Sequence, residues 1–251
     1  MNSVRRERLK KYIAEKGIVS LKELTSIFGD VSLMTIHRDL DFLEEDGKII
    51  RMRGGARYIG EVSAHEPSFE IREVENRKAK EQIAEKAVQF IHSGSSVFFD
   101  AGTTTMALAR LIPDDSFSVI TSAPNIALEV ARRTNPTVSM CGGTLNRSNM
   151  TLSGTSAMEM LEKVNIDVAF LVCTGFSLEG GFTCGKESEA DVKNLIIKKA
   201  RTVIMLMDRS KLNKMLPFTF CGLKDINYLI SEDELPPKII DAAIKAGVEL
   251  L

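Results

Sequence analysis

No stretch of the sequence approaches the ~18 uninterrupted apolar residues that a membrane-spanning helix needs. The first twenty residues are charged where an export signal would be apolar. Both absences point to a cytoplasmic protein with no membrane partner. Cys141, Cys173, Cys184 and Cys221 form no C-x-x-C pair, and His37, His65 and His92 are not clustered with them. A structural zinc site and a disulfide framework are therefore not expected, and the cysteines read as small buried hydrophobes. No residue pattern calls for a metal or a cofactor.

What is present is 44% hydrophobic and 27% charged residues in a chain of 251. That is enough apolar content for a real core in one medium domain, with a smaller one beside it. The net charge of −1 hides an asymmetry: residues 1–58 carry 12 Lys/Arg against 9 Asp/Glu, and the remainder is acidic. A basic head on an acidic body suits a polyanion partner for the head.

In that head, Arg5–Lys16 has helical spacing at Leu9, Tyr12 and Ile13, and Gly17 ends it. Ser20 lies three residues before Glu23, a capping-box start for a second helix through Phe28. Ser32 can cap a third helix to about Asp46, with an apolar stripe at Ile36, Leu40 and Leu43. Three short helices with a tight second turn make a helix-turn-helix. The third helix also carries Ser32, Thr35, His37 and Arg38, side chains suited to base edges and phosphates in a major groove. Next come residues 48–58, which alternate apolar and basic positions around Gly54-Gly55, a β-hairpin signal. Its Arg51, Arg53 and Arg57, with Lys48, are expected to lie on the phosphate backbone as the wing of a winged helix-turn-helix.

Residues 19–56, VSLKELTSIFGDVSLMTIHRDLDFLEEDGKIIRMRGGA, closely resemble the head of the DeoR-type repressors. That family typically has Arg-Arg before Asp-Leu in the recognition helix, where this chain has His37-Arg38. The departure bears on operator sequence and affinity rather than on DNA binding itself.

Residues 59–68 lack periodicity and contain Pro67, so they read as a linker between a DNA-binding domain at 1–58 and an α/β domain at 69–251. A long helix is expected from Phe69 to about Ile91. Beyond it, apolar runs at 97–99, 118–121, 137–140, 168–173, 202–207 and 228–230 alternate with helical segments near 103–111, 123–133, 155–164, 187–200 and 237–246. That alternation predicts a mainly parallel sheet with helices on both faces. In such sheets ligands bind beyond the carboxyl ends of the strands.

Polar and glycine residues gather at those ends. Asp100-Ala-Gly-Thr-Thr-Thr offers a close backbone approach at Gly102, and hydroxyls and amides from Thr103, Thr104 and Thr105 to an anion. Further ends carry Ser122, Gly142-Gly143, Gly175, and Asp208 with Lys211. Lys211 could neutralise a phosphate, while Asp100 and Asp208 suit sugar hydroxyls. By spacing alone, Glu189 and Lys193 read as a surface pair worth little. Gly180–Lys186 fits G-x-x-x-x-G-K, but Glu187 stands where a P-loop needs Ser or Thr. It reads as a loop that can cover the effector, with Lys186 contributing.

The DeoR-type resemblance extends over this region too, through D-x-G-T-T-T (100–105), the Gly142-Gly143 pair, Glu189 with Lys193, and D-x-S-K at 208–211. It implies a domain similar to sugar-phosphate isomerases that binds phosphorylated sugars as inducers. It also implies effector contacts from Asp100, Gly102, Thr103, Thr104, Thr105, Gly142, Gly143, Glu189, Lys193 and Lys211. Ser122 stands where the family usually has Asn, which bears on effector preference. The resulting expectation is a sequence-specific regulator, not an enzyme, whose partners are operator DNA, a small phosphorylated sugar and further copies of itself. The alternative is a sugar-phosphate isomerase with an accessory head, using Asp100, Glu187 or Glu189 as general base. Fold resemblance does not carry activity, which favours the regulator.

Overall fold

The computed structural model describes residues 2–29, 31–45, 48–52, 54–58 and 68–251, in two compact units, Met1–Val62 and Ser63–Leu251. Of the expected linker, 59–67 lie outside the described residues, as does Arg53.

In the first unit, α1 (Asn2–Lys16) begins three residues earlier than its apolar spacing suggests. Gly17, at a φ of 72°, ends it and donates to the Ile13 carbonyl at 2.8 Å. The sequence gives no signal for β1 (Ile18–Ser20), three residues of which only Val19 is buried. Ser20 caps α2 (Leu21–Ile27), its Oγ accepting from Glu23 N at 3.1 Å. Ser32 caps α3 (Leu33–Glu45) in the same way through Thr35 N at 3.2 Å. Then β2 (Ile49–Met52) and β3 (Gly55–Tyr58) form the hairpin, and the sheet runs β1-β3-β2, antiparallel. A Cβ on Gly55 would lie 2.1 Å from the Val19 carbonyl oxygen, so only glycine lets β3 sit against β1. Leu9, Ile13, Leu24, Ile36, Leu40 and Ile49 fill the core.

In the second unit, the helix expected over 69–91 is two helices, α4 (Phe69–Val74) and α5 (Arg77–Ala87). Asn76 adopts the left-handed conformation, at a φ of 49°, and breaks the run. Lys80 Nζ donates to the Arg72 and Glu75 carbonyls that the break frees.

The chain then alternates β4 (Ser96–Phe99), α6 (Thr103–Leu111), β5 (Ser118–Thr121), α7 (Pro124–Val130) and β6 (Thr137–Met140). A hairpin of β7 (Thr144–Asn146) and β8 (Thr151–Ser153) leads to α8 (Thr155–Leu161) and β9 (Ile166–Val172). After β10 (Gly175–Ser177) and β11 (Gly181–Cys184) come α9 (Glu187–Lys199), β12 (Ala200–Leu206) and β13 (Phe218–Cys221). The chain closes with β14 (Tyr228–Ile230), α10 (Pro237–Lys245) and β15 (Glu249–Leu250).

Seven strands form one parallel sheet in the order β15-β14-β12-β9-β4-β5-β6. Alternate residues serve opposite faces: Phe98 packs with Ala157, Leu161, Ile196 and Ile239, on the side of α8, α9 and α10. Val97 and Phe99 pack with Ile83, Leu108 and Ile126, on the side of α5, α6 and α7. A sheet covered on both faces needs apolar residues at nearly every inner position, which is why β4, β9 and β12 read as apolar runs, whereas β6, Thr-Val-Ser-Met at the edge of the sheet, is largely exposed and not the buried strand expected there. The β7-β8 hairpin and the antiparallel β10-β11-β13 sheet give no such signal. Gly181–Cys184 is therefore a paired strand, not the loop expected there.

All four cysteines are free and buried, as small hydrophobes should be. Burial pushes the Cys141 thiol up to about 11 and those of Cys173 and Cys184 up to about 12, and raises Cys221 further. Iodoacetamide at pH 8 is expected to label none of them in the native chain and all four in urea, as counted by intact mass. Fast native labelling of any of the four would contradict this packing.

Candidate DNA interface and effector cleft

Helix α3 buries Ile36, Asp39, Leu40 and Leu43 and turns the rest outward. Asp39 is 2% exposed, and its carboxylate accepts from Arg5 Nε at 2.5 Å and Arg6 Nε at 2.9 Å. Burial works to raise its pKa, but the two guanidinium groups outweigh it and hold the carboxyl below its ordinary range. This network fixes α1 against α3, and Arg6 also stacks 3.8 Å over the Phe42 ring.

Among the described residues, the sequence-predicted DNA residues fall into four groups. Arg38 is exposed on the outward face of α3. Ser32 and Thr35 stand at its start with hydroxyls 3.0 Å apart, so both are engaged in the cap. Arg51 departs from the expectation of a free wing cation: its guanidinium folds onto α3, pairing with Asp41 and lying 2.7 Å from His37 Nδ1. Arg57 stands in β3, in register with Ile18 and Ile50.

Sequence reasoning missed Leu33 and Met34, which are 51% and 65% exposed at the head of α3. Their signal was available: two large apolar residues off the Ile36-Leu40-Leu43 stripe, at the N-terminal end of the helix. Apolar side chains there suit thymine methyl groups.

In the second unit the chain crosses from β4 through β5 to β6, then returns to the other side of β4 as β9. The carboxyl ends of β4 and β9 thus form a topological switch point, where parallel sheets open a crevice. Asp100 follows β4 there and is 1% exposed. Its Oδ1 accepts from Ala101 N at 2.9 Å, and its Oδ2 accepts from Val172 N at 3.1 Å and from Lys193 Nζ. Both oxygens are engaged by protein, so Asp100 ties β4, β9 and α9 together rather than presenting a free carboxylate to sugar hydroxyls.

Lys193 is 1% exposed, donates to the Val172 carbonyl at 2.9 Å and stands 3.4 Å from Glu189 Oε1. Burial alone would depress its pKa, but Asp100 and Glu189 outweigh it and hold the ammonium charged, above the ordinary lysine range. The surface pair read from the i, i+4 spacing is thus a buried network, because this face of α9 packs on β9 and β13 rather than facing water. Asn149 Nδ2 extends the network, donating to Glu189 Oε2 at 3.1 Å.

Around this anchor lie polar groups at successive strand ends. A Cβ on Gly102 would meet Val172 Cγ2 at 2.6 Å, so the turn into α6 needs glycine. Thr103, Thr104 and Thr105 form the first turn of α6, and Thr105 Oγ1 donates inward to the Asp100 carbonyl at 2.7 Å. Ser122, after β5, is fully buried, and its Oγ has no protein partner. The same holds for Asn125 Oδ1 and Nδ2, Asn149 Oδ1, Thr151 Oγ1 and Asp208 Oδ2. Asp208 Oδ1 caps the short turn bearing Lys211, accepting from Ser210 N at 3.0 Å.

The remaining predicted residues are placed more loosely. Gly142 and Gly143 form the exposed turn from β6 to β7, with Gly143 against the Ser153 carbonyl. Gly175 packs on the backbone of Lys214. Lys186 is exposed at the start of α9.

Asn125, Asn149, Thr151 and Lys80 were missed. Lys80 had a signal, since it continues the buried stripe of Ala84 and Ala87 on α5, where a lysine must find oxygen partners. Burial, first, and then Lys211 and Arg72 hold it below its ordinary range, with Asp208 opposing them. A cavity of about 270 Å³ between α4, α5 and α6 reaches Lys80 and Thr103. Its walls hold Glu73, Glu81 and Glu85, the first two paired with Arg110 and Arg77, so it does not suit an anion.

A winged helix-turn-helix followed along the chain by a parallel α/β unit with unpartnered buried polar atoms is the composition of a DNA-binding transcription regulator with a ligand-sensing domain. Residues 5–62 match the DeoR-like helix-turn-helix domain and residues 75–233 the DeoR C terminal sensor domain. The chain belongs to the DeoR family of transcriptional regulators. It is 35% identical to the HTH-type transcriptional regulator GlpR of Haloferax volcanii, over 98% of this chain and 96% of that one. It is likewise 35% identical to the HTH-type transcriptional repressor GlcR of Bacillus subtilis, over 96% and 92%. Among solved structures, ribose 5-phosphate isomerase from Methanocaldococcus jannaschii aligns with 55% of each chain at 15% identity and a TM-score of 0.41. Membership of a regulator family over the whole chain makes this protein a regulator and not an enzyme. No helix of the described residues is long and apolar enough to cross a membrane.

Proposed function

We propose that this regulator represses genes of carbohydrate metabolism and releases its operator when a phosphorylated sugar occupies the crevice at the β4-β9 switch point. The observation that carries the ligand class is the set of buried side-chain atoms with no protein partner: Ser122 Oγ after β5, the Asn125 amide in α7, Asn149 Oδ1 and Thr151 Oγ1 in the β7-β8 hairpin, and Asp208 Oδ2 after β12. Buried polar atoms are almost always satisfied, so a set of them left without partners in one unit suits a polyhydroxylated ligand. The free Asp208 oxygen and the amides and hydroxyls are sugar partners. The first turn of α6 supplies backbone N–H groups for a phosphate, with Lys211 as a nearby point charge.

In the head, Arg38 reads a base edge, Leu33 and Met34 meet thymine methyls, and Arg53 and Arg57 lie on phosphates. The protein works in the cytoplasm as a homo-oligomer whose paired heads read paired half-sites. Effector binding need shift operator affinity by only about 1–3 kcal/mol to change occupancy.

Calorimetry with pentose and hexose monophosphates, and the unphosphorylated sugars as controls, tests the effector. At least one phosphate should bind and weaken operator binding in a gel shift. Thr104→Val with Lys211→Ala should cut that affinity at least tenfold and leave ligand-free DNA binding unchanged. Full-strength binding by the double variant would place the phosphate elsewhere.

A further inference from the structure

The contact between Arg51 and His37 has a chemical consequence. Arg51 lies in β2 of the wing, and its side chain is 22% exposed. Its Nη2 is 2.7 Å from His37 Nδ1, and its Nη1 donates to the His37 carbonyl at 3.3 Å and to Asp41. Its backbone N–H donates to Glu44 Oε1 at 2.7 Å. All three partners are on α3, so one residue pins the wing to the recognition helix.

A guanidinium is permanently charged and has no acceptor. At the 2.7 Å contact Arg51 must be the donor, and His37 Nδ1 must hold the lone pair. The neutral ring then carries its proton on Nε2, turned away from the wing. We propose that Arg51 is a positioning residue rather than a phosphate contact, holding His37 in the Nε2–H form so that it donates to the N7 or O6 acceptor of a guanine in the major groove. The proposal rests on the reading that α3 enters that groove.

A lone donor at this point is satisfied best by guanine, which offers two acceptors, less well by adenine N7 or thymine O4, each a single acceptor, and is opposed by cytosine, whose N4–H₂ would set donor against donor. The Asp41 carboxylate, 60% exposed on the same helix, would repel phosphates if left alone. Arg51 neutralises it while spending its own donors on protein.

The test uses the full chain and DNA selected by the wild type from a randomised duplex pool. His37→Ala and Arg51→Ala should each flatten the preference for guanine at one and the same half-site position, and the double variant should be no worse there than either single variant. The slope of log affinity against log salt should be unchanged in Arg51→Ala combined with Asp41→Asn, which removes both charges of the pair, whereas loss of a phosphate contact would lower it by about 0.9. Nitrogen-15 NMR of the free wild type should show His37 protonated at Nε2 and bare at Nδ1.

A lowered salt slope with base preference intact would overturn the proposal, as would a wild-type His37 protonated at Nδ1. Should Arg51→Ala fail to fold, the wild-type tautomer and the His37→Ala selection still decide the matter. If Arg38→Ala alters the selected sequence and His37→Ala does not, only the role of His37 falls. If neither does, the groove reading itself falls.

Discussion

Replacing Lys193 with alanine is expected to destabilise the sensor unit by about 3–5 kcal/mol, the range for breaking a buried ion pair from one side. The loss comes from what stays behind. Asp100 would keep two backbone N–H donors but lose its counter-charge at 1% exposure, and Glu189 would keep the Asn149 amide but lose the neighbouring ammonium. The Val172 carbonyl would lose a donor as well. For a unit of this size the melting temperature should fall by roughly 10 °C, followed by circular dichroism because the chain has no tryptophan. Lys193→Met with Asp100→Asn should recover part of the loss, since it removes both charges together. A single Lys193→Ala variant melting within 2 °C of the wild type would show that Asp100 and Glu189 reach water, contrary to the burial described. The effect should be confined to the sensor. Binding of DNA below the transition should persist, because Arg38 and the α1-α3 network lie in the other unit.

The same residues show how far the sequence could be read. Fold class was legible because a two-sided parallel sheet forces near-continuous apolar runs in its inner strands, and six of the seven strands are placed from such runs and their alternation with helices, although β6, Thr-Val-Ser-Met, carries no run and lies largely exposed at the edge. The seventh, β15, is two residues long and invisible to any pattern. The head was legible because Ser20, Ser32 and Gly54-Gly55 are local signals, each acting within a few residues of itself. What failed was long-range. The spacing of Glu189 and Lys193 is that of any exposed helical pair, and only the packing of α9 against β9 decides that Asp100, 93 positions away from Lys193, becomes its partner. Asp100 looked like a ligand group for the same reason, since its engagement by Val172 N depends on strand order. The break at Asn76 was hidden because helix-forming residues flank it on both sides. In the head, Arg51 looked like one basic wing residue among several, and its partner His37 lies 14 positions earlier, across an element boundary.

Replacing Arg38 with alanine is the second substitution with a large expected effect, and it acts on recognition without touching stability. Arg38 is exposed on α3 beside the buried Asp39 and takes no part in the core. The melting curve should therefore match the wild type. A bidentate arginine-to-guanine contact discriminates by about 1–3 kcal/mol, and an oligomer engaging two half-sites loses it twice. Affinity for the selected operator should fall by roughly 100-fold or more in a gel shift at fixed salt, while affinity for random duplex falls only a few-fold. The ratio of the two losses is the informative quantity. Equal losses on operator and random DNA would make Arg38 a phosphate contact and leave base reading to Leu33, Met34 and His37. No loss on either would remove α3 from the groove altogether. His37 stands where the DeoR-type pattern carries a second arginine, so Arg38 is the single Arg or Lys of α3. Arg51, held by Asp41 and His37, is not placed to substitute for it, and so the single substitution should not be buffered by its neighbours.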